Sequence, residues 1–187
     1  LKGTLAPNGA LIKQSAASSE LLVHQGRAIV FESYEDMINR VDNPDLDVEP
    51  SDIIVMRNSG PLGGPGMPER GWLPVPSKLL KSGVRDMVRI SDARMSGTAF
   101  GTVIVHVTPE SALGGPLAAV RTGDMINLDV PDRRLDLMVD DCVVQERIAG
   151  HSAIDVSVDR GYAWIYMKHV LQADKGCDFD FLRAQNQ

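Results

Sequence analysis

Four short runs of apolar, largely β-branched residues restrict the fold of this chain more than any other feature: AIVF at 28–31, DIIVMR at 52–57, DMVRI at 86–90 and GTVIVHV at 101–107. Each is too short for a buried helix and suits a pleated surface, where branched side chains pack against their neighbours. They are expected to be buried strands. The segment MINLDVPDRRLDLMV at 125–139 carries a different pattern. Ile126, Leu128 and Val130 alternate with polar residues before a Pro131-Asp132 turn, and Leu135, Leu137 and Val139 alternate after it. Successive strand side chains point to opposite sides, so this predicts a hairpin with one wet face.

Helical signals are fewer. Ser33 with Asp36 three positions on resembles a capping box, and Met37, Ile38 and Val41 form an apolar stripe behind it, predicting a helix over 34–41. In PSKLLKSG at 76–83, Ser77 is placed to cap the start and Gly83 to end the helix. GYAWIYMKHVLQAD at 161–174 is apolar nearly all round, as expected of a helix that docks on another surface. NSGPLGGPGMPERG at 58–71 holds five glycines and three prolines. With strands expected close on both sides, it reads as a long shaped loop and not as a linker. The 187 residues are therefore expected to form one domain.

The formal net charge of −6 offers no basic stripe to neutralise phosphates, which argues against nucleic acid as a partner. Cys142 and Cys177 are too few for a disulfide framework or a self-contained zinc or iron–sulfur site, and a reducing, cytoplasmic setting is expected. No apolar stretch reaches the roughly 18 residues of a membrane span, and no signal pattern opens the chain, so no membrane association is expected. The opening LKGTLAPNGALIKQSAASSELL starts at Leu1 and reads like the middle of a protein, so a fragment is expected.

Two loops could carry chemistry. In 58–71, glycines allow close backbone approach near Glu69, a hard oxygen ligand of the kind Mg²⁺ prefers, although an ordinary loop with a solvated acid fits equally. No Gly-Lys-Ser or Gly-Lys-Thr follows, so the phosphate-loop pattern is absent. In ISDARMSGT at 90–98, Ser96 stands just past a strand end, where an exposed nucleophile or base sits, or where Ser96 and Thr98 simply bond to their own turn. Arg94 occupies the first glycine position of a G-x-S-x-G elbow, which argues against an esterase. The scattered His24, His106, His151 and His169 receive no role, and Asp140-Asp141 reads as turn residues. Burial is expected for Cys177, and Trp72 and Trp164 are expected to be core or interface anchors.

Taken in order, GPLGGPGMPE at 60–69, RISDARMSGTAFGTVIVHVTPESALGGPLAAVRTGD at 89–124 and RRLDLMVDD at 133–141 closely resemble the dihydroxy-acid and sugar-acid dehydratase family. The similarity extends through GTLAPNGALIKQSAAS at 3–18 and GCDFDFL at 176–182, nearly the whole chain. It implies that residues 1–187 are the C-terminal domain alone, an α/β fold built as a β-rich, barrel-like sandwich with flanking helices. This is the swivelling β/β/α domain shared with aconitase-type hydro-lyases. The family's N-terminal domain, which supplies the cluster cysteines and most Mg²⁺ ligands, is not represented.

By the same resemblance, Glu69 of the G-P-G-M-P-E motif is a Mg²⁺ ligand, Ser96 of D-x-R-x-S-G is the general base, and Gly97 and Thr98 contact substrate. The cofactors implied are Mg²⁺ and an iron–sulfur cluster of the two-iron, two-sulfur kind, held by the N-terminal domain. The reaction implied is loss of water from a 2,3-dihydroxy sugar acid to give a 2-keto-3-deoxy acid. RGWLPVPSKLLKSGVRDMVRISDARMSGT at 70–98 resembles the arabinonate dehydratase-like sugar-acid branch, whereas the biosynthetic branch would carry an MLSPTS-like segment in place of Leu73-Pro74-Val75-Pro76. The partners implied are a small-molecule sugar acid, the protein's own N-terminal domain and further copies of the full-length chain. The isolated fragment is expected to be inactive. A branched-chain dihydroxy-acid dehydratase, a non-catalytic binding module of the same fold and a free-standing β-barrel ligand-binding protein stay open as alternatives, and Arg94 is open between catalysis and a structural salt bridge.

Overall fold

The computed structural model describes residues 1–151 and 158–182. In β3 (Ile53–Met56), Ile53 and Val55 face one side and Ile54 and Met56 the other, and all four are fully buried. A run with no polar alternation thus lies between two apolar layers, as strands covered on both faces do. β2 (Val23–Phe31), β3, β4 (Arg89–Ser91) and β5 (Val103–Thr108) are parallel neighbours. β1 (Gly9–Ile12) flanks β5, and β6 (Met125–Asp129) and β7 (Arg134–Leu137) extend the other side, all antiparallel. The order is β1-β5-β4-β3-β2-β6-β7 in one seven-stranded sheet.

Every strand sends side chains to a single inner core, from Ala10 on β1 to Leu135 and Leu137 on β7, so the sheet is curled around it. The first residues connect the two edges. Leu1 and Ala10 exchange backbone hydrogen bonds at 2.8 and 3.0 Å, while the Lys2 amide donates to Arg133 O at 2.8 Å and Lys2 O accepts from Leu135 at 3.0 Å. The outer face of β2, β3 and β5 is covered by a second core, to which α1 (Tyr34–Arg40) brings Met37, α2 (Ser77–Lys81) brings Leu79, and the loop between β3 and α2 brings Leu73 and Val75. The resemblance implied an α/β fold with a barrel-like sandwich and flanking helices; the α/β fold is there, as a half-barrel of one curled sheet with flanking helices. No helix of the described residues is long and apolar enough to cross a membrane.

The hairpin forms as its alternation predicts, with Ile126 opposite Leu137 and Leu128 opposite Leu135, and with Asn127, Asp129, Arg134 and Asp136 away from the core. At α1, Ser33 Oγ accepts from Asp36 N at 3.1 Å, and Asp36 Oδ2 accepts from Glu32 N at 3.0 Å. At α2 the cap differs from expectation: Pro76 is the N-cap, and Ser77 N donates to Asp42 Oδ1 at 2.8 Å. Gly83 does end it, at φ +100°, with Val84 N bonding back to Leu79 O at 3.0 Å.

Asp140 and Asp141 are not turn residues. They are the N-cap and first residue of α3 (Asp141–Ala149), whose Val144 and Ile148 pack on the inner core, and acids suit the positive end of a helix. The predicted helix over 161–174 is shorter. α4 (Gly161–His169) ends where Val170 pairs with Phe179 and Leu171 N donates to Asp178 O at 2.8 Å, because long-range bonding claims the backbone there.

Candidate active site

Two loops meet beyond the carboxyl ends of the parallel strands. One follows β3 and runs from Arg57 to Pro76; the other follows β4 and runs from Asp92 to Thr102. They touch at Gly71, whose amide donates to Arg94 O at 2.8 Å. A Cβ on Gly71 would lie 2.6 Å from that oxygen, so only glycine permits the approach. Arg94 reaches back across the junction. Its Nη1 donates to Glu69 Oε1 at 3.1 Å and its Nε to Met67 O, so Arg94 forms the salt bridge that was one of its two readings.

On the other side of the junction, residues 96–99 form a turn closed by Ala99 N donating to Ser96 O at 3.0 Å. Ser96 Oγ lies 2.9 Å from Thr98 Oγ1 and accepts from Thr98 N at 3.3 Å. Lys13 Nζ, from the end of β1, donates to Gly97 O. Glu69, Trp72, Met95, Ser96, Thr98 and Ala99 line one cavity of about 230 Å³. Glu69, Ser96 and Thr98, distant in the chain, are thereby brought together. Gly97 does not line the cavity, and no atom stands within 4 Å of where its Cβ would be.

Two buried acids hold these loops, and sequence inspection alone passes over both. Asp92 accepts from Ser59 N and Ser111 N at 2.9 Å each, and from the Ser111 hydroxyl. Burial pushes its carboxyl up, against the pull of the Ser111 hydroxyl and amide and the Ser59 amide. Glu110 accepts from Leu62 N and Gly63 N at 2.9 Å and from Gln172 Nε2. Its carboxyl is also raised by burial, offset by Gly63, Gln172 and Leu62. Glu110 thus clamps the first turn of the glycine-rich loop to the C-terminal segment. A loop acid ordinarily faces water, and the residues next to Asp92 and Glu110 in the chain do not mark either as buried.

Of the two expectations for Trp72, core or interface anchor, the structure removes the core: it is 63% exposed, on the cavity wall. Cys177 is partly buried, as expected in kind, and Cys142 is exposed on α3.

The donor set fits one side of a Mg²⁺ shell. Glu69 is half exposed at 50%, its Oε2 has no partner among the described residues, and the hydroxyls of Ser96 and Thr98 share its cavity, all hard oxygens. No group of three or more His, Cys, Asp or Glu among the described residues could hold a metal alone, so a Mg²⁺ at this cavity would need further ligands from outside them. Neither cysteine lines the cavity, and the residues present do not fit an iron–sulfur cluster.

Comparison with known proteins gives a consistent result. The chain is 50% identical over 184 residues to a 6-deoxy-6-sulfo-D-gluconate dehydratase of Pseudomonas putida, covering 98% of this chain and 32% of that protein. It is 52% identical over 184 residues to an L-arabinonate dehydratase of Rhizobium leguminosarum, with 98% and 32% covered. A dihydroxy-acid dehydratase of Methanothrix thermoacetophila is 43% identical over 177 residues, with 94% and 32% covered. The chain thus spans about a third of the length of these relatives. Because residues 1–177 match the family described as dihydroxy-acid/6-phosphogluconate dehydratase C-terminal, and that match covers the strands and both site loops, the chain belongs to this family.

Proposed function

We propose that the full-length protein is a hydro-lyase that converts a 2,3-dihydroxy sugar acid into a 2-keto-3-deoxy acid, with Ser96 Oγ as the general base. The observation that carries this is the shared cavity of Ser96 and Glu69, made by the contact of Gly71 with Arg94. The relatives named for sugar acids are 50% and 52% identical, against 43% for the dihydroxy-acid relative, which favours the sugar-acid branch.

In the overall reaction the C2–H bond breaks and its proton goes to Ser96 Oγ. The C3–O bond breaks, the departing hydroxide takes that proton from Ser96 Oγ to leave as water and restore the alkoxide, and the enol becomes the ketone. A neutral serine is a feeble base, so its oxygen must be held as an alkoxide. Thr98 N already points at Oγ, and the Thr98 hydroxyl lies within bonding distance of it. The amide is a donor already in place, and the hydroxyl can turn to donate to the anion, which is how fixed dipoles stabilise a charged oxygen. The Lys13 ammonium on Gly97 O adds positive charge beside the same turn. Arg94 orients the Glu69 carboxylate.

Mg²⁺ would be held in part by Glu69, with the Ser96 and Thr98 hydroxyls near it, and would supply Lewis-acid stabilisation of the substrate carboxylate and C2 hydroxyl. An iron–sulfur cluster would be held wholly by residues outside this chain. The protein's own N-terminal domain completes the site, the full-length chain forms a homo-oligomer, and the reaction is cytoplasmic.

Ser96→Ala in the full-length enzyme tests the assignment. Removal of a general base is expected to lower kcat by about a thousandfold with substrate affinity, cluster and Mg²⁺ content unchanged. Retained turnover of L-arabinonate would overturn it.

A further inference from the structure

Trp72 stands on a backbone anchored at both sides. Gly71 N donates to Arg94 O at 2.8 Å, and Leu73, fully buried, has its carbonyl held at 2.8 Å by Nη1 of the buried Arg89. The chain is pinned while the indole between these anchors stays 63% exposed. An indole ordinarily stabilises a fold by burial, and the described residues leave this one largely uncovered. It stands on the wall of the cavity that holds Ser96 and Glu69.

That cavity has two characters. Glu69, Ser96 and Thr98 are polar, and Trp72, Met95 and Ala99 are apolar. Sites of this kind fix orientation with a few polar groups and gain affinity from apolar and aromatic walls. The carbon chain of a polyhydroxy acid presents C–H groups between its hydroxyls, and a flat ring can cover those C–H groups while the hydroxyls stay in water. A short alkyl dihydroxy acid ends before it can use such a surface.

We propose that Trp72 is the specificity wall of this site, its indole packing on the polyhydroxy tail of a sugar acid beyond C3 and so selecting that class over short alkyl dihydroxy acids. The assignment rests on the dehydratase reading of the same cavity.

The test uses full-length Trp72→Ala and Trp72→Phe proteins with L-arabinonate, D-gluconate and 2,3-dihydroxy-3-methylbutanoate, measuring dissociation constants by calorimetry beside KM and kcat. For both sugar acids, Trp72→Ala is expected to raise Kd and KM about tenfold and to leave kcat within about twofold, with Trp72→Phe retaining most of the affinity. Values for the alkyl acid are expected to stay unchanged. Equal weakening of all three acids, or no change for the sugar acids, overturns the wall. A variant with altered subunit assembly and unaltered Kd also overturns it, since the indole is then a protein contact. A wild type that binds sugar acids through Trp72 without dehydrating them overturns the reaction and leaves the wall standing.

Discussion

Asp86 and Asp92 flank β4, and burial has opposite outcomes for them. For Asp86 the desolvation that would raise its pKa is outweighed by the Thr102 hydroxyl and amide, the Ser18 hydroxyl and the Arg89 guanidinium, and the carboxyl lies below its ordinary 3.8. A folded-state value below the unfolded one means that Asp86 stabilises the protein fully above that ordinary value and loses its contribution as pH falls through the folded value. For Asp92 burial wins, so its effect runs the other way: it favours the fold most while protonated, and less as pH rises through its raised value. Asp86→Asn is therefore expected to flatten the acid limb of a stability-against-pH curve measured by denaturant unfolding. An acid limb as steep as the wild type's would assign that limb to other carboxylates. Glu69 and Ser96 stand out in the sequence because the motifs around them are long. Asp92 and Glu110 do not, since an acid in a loop looks the same in sequence whether water or backbone amides surround it.

At the level of elements, the site is a contact between two loops. Each is carried to the carboxyl edge of the sheet by its own buried parallel strand, and Gly71 sets their separation. Gly71→Ala is expected to push the Glu69 and Ser96 loops apart and lower kcat/KM of the full-length enzyme by about a hundredfold, the scale of an ångström-sized misplacement. The melting temperature should move little, and unchanged kcat/KM would show that the junction does not set the catalytic geometry. Elements governed by near neighbours were readable: the four buried runs, the alternating hairpin, and the Ser33 cap of α1. Elements governed by distant partners were not. Ser77 surrenders the cap of α2 because Asp42, far back in the chain, takes its amide. α4 stops early because Val170 and Leu171 pair with the segment around Phe179. The first half of β2, VHQGR, has no apolar run and becomes strand by pairing with β6.

At the scale of the whole molecule, the curled sheet and its inner core form a frame on which the cavity sits at one edge, with Glu69 half exposed and Trp72 largely so. The chain spans about a third of the length of the relatives it matches. The 187-residue chain supplied with iron, sulfide and Mg²⁺ is expected to show neither visible cluster absorbance nor turnover of L-arabinonate. Cluster absorbance bound by this chain would contradict the placement of its two cysteines. The sequence by itself determined the four buried runs, the alternating hairpin and the motifs that carry the family resemblance, because these follow from local periodicity and from patterns read along the chain. Only the tertiary structure decided that Glu69, Ser96 and Thr98 share a cavity with an exposed Trp72, and that buried Asp92 and Glu110 hold it. Proximity and burial depend on which distant segments the sheet brings together, and no local pattern encodes that.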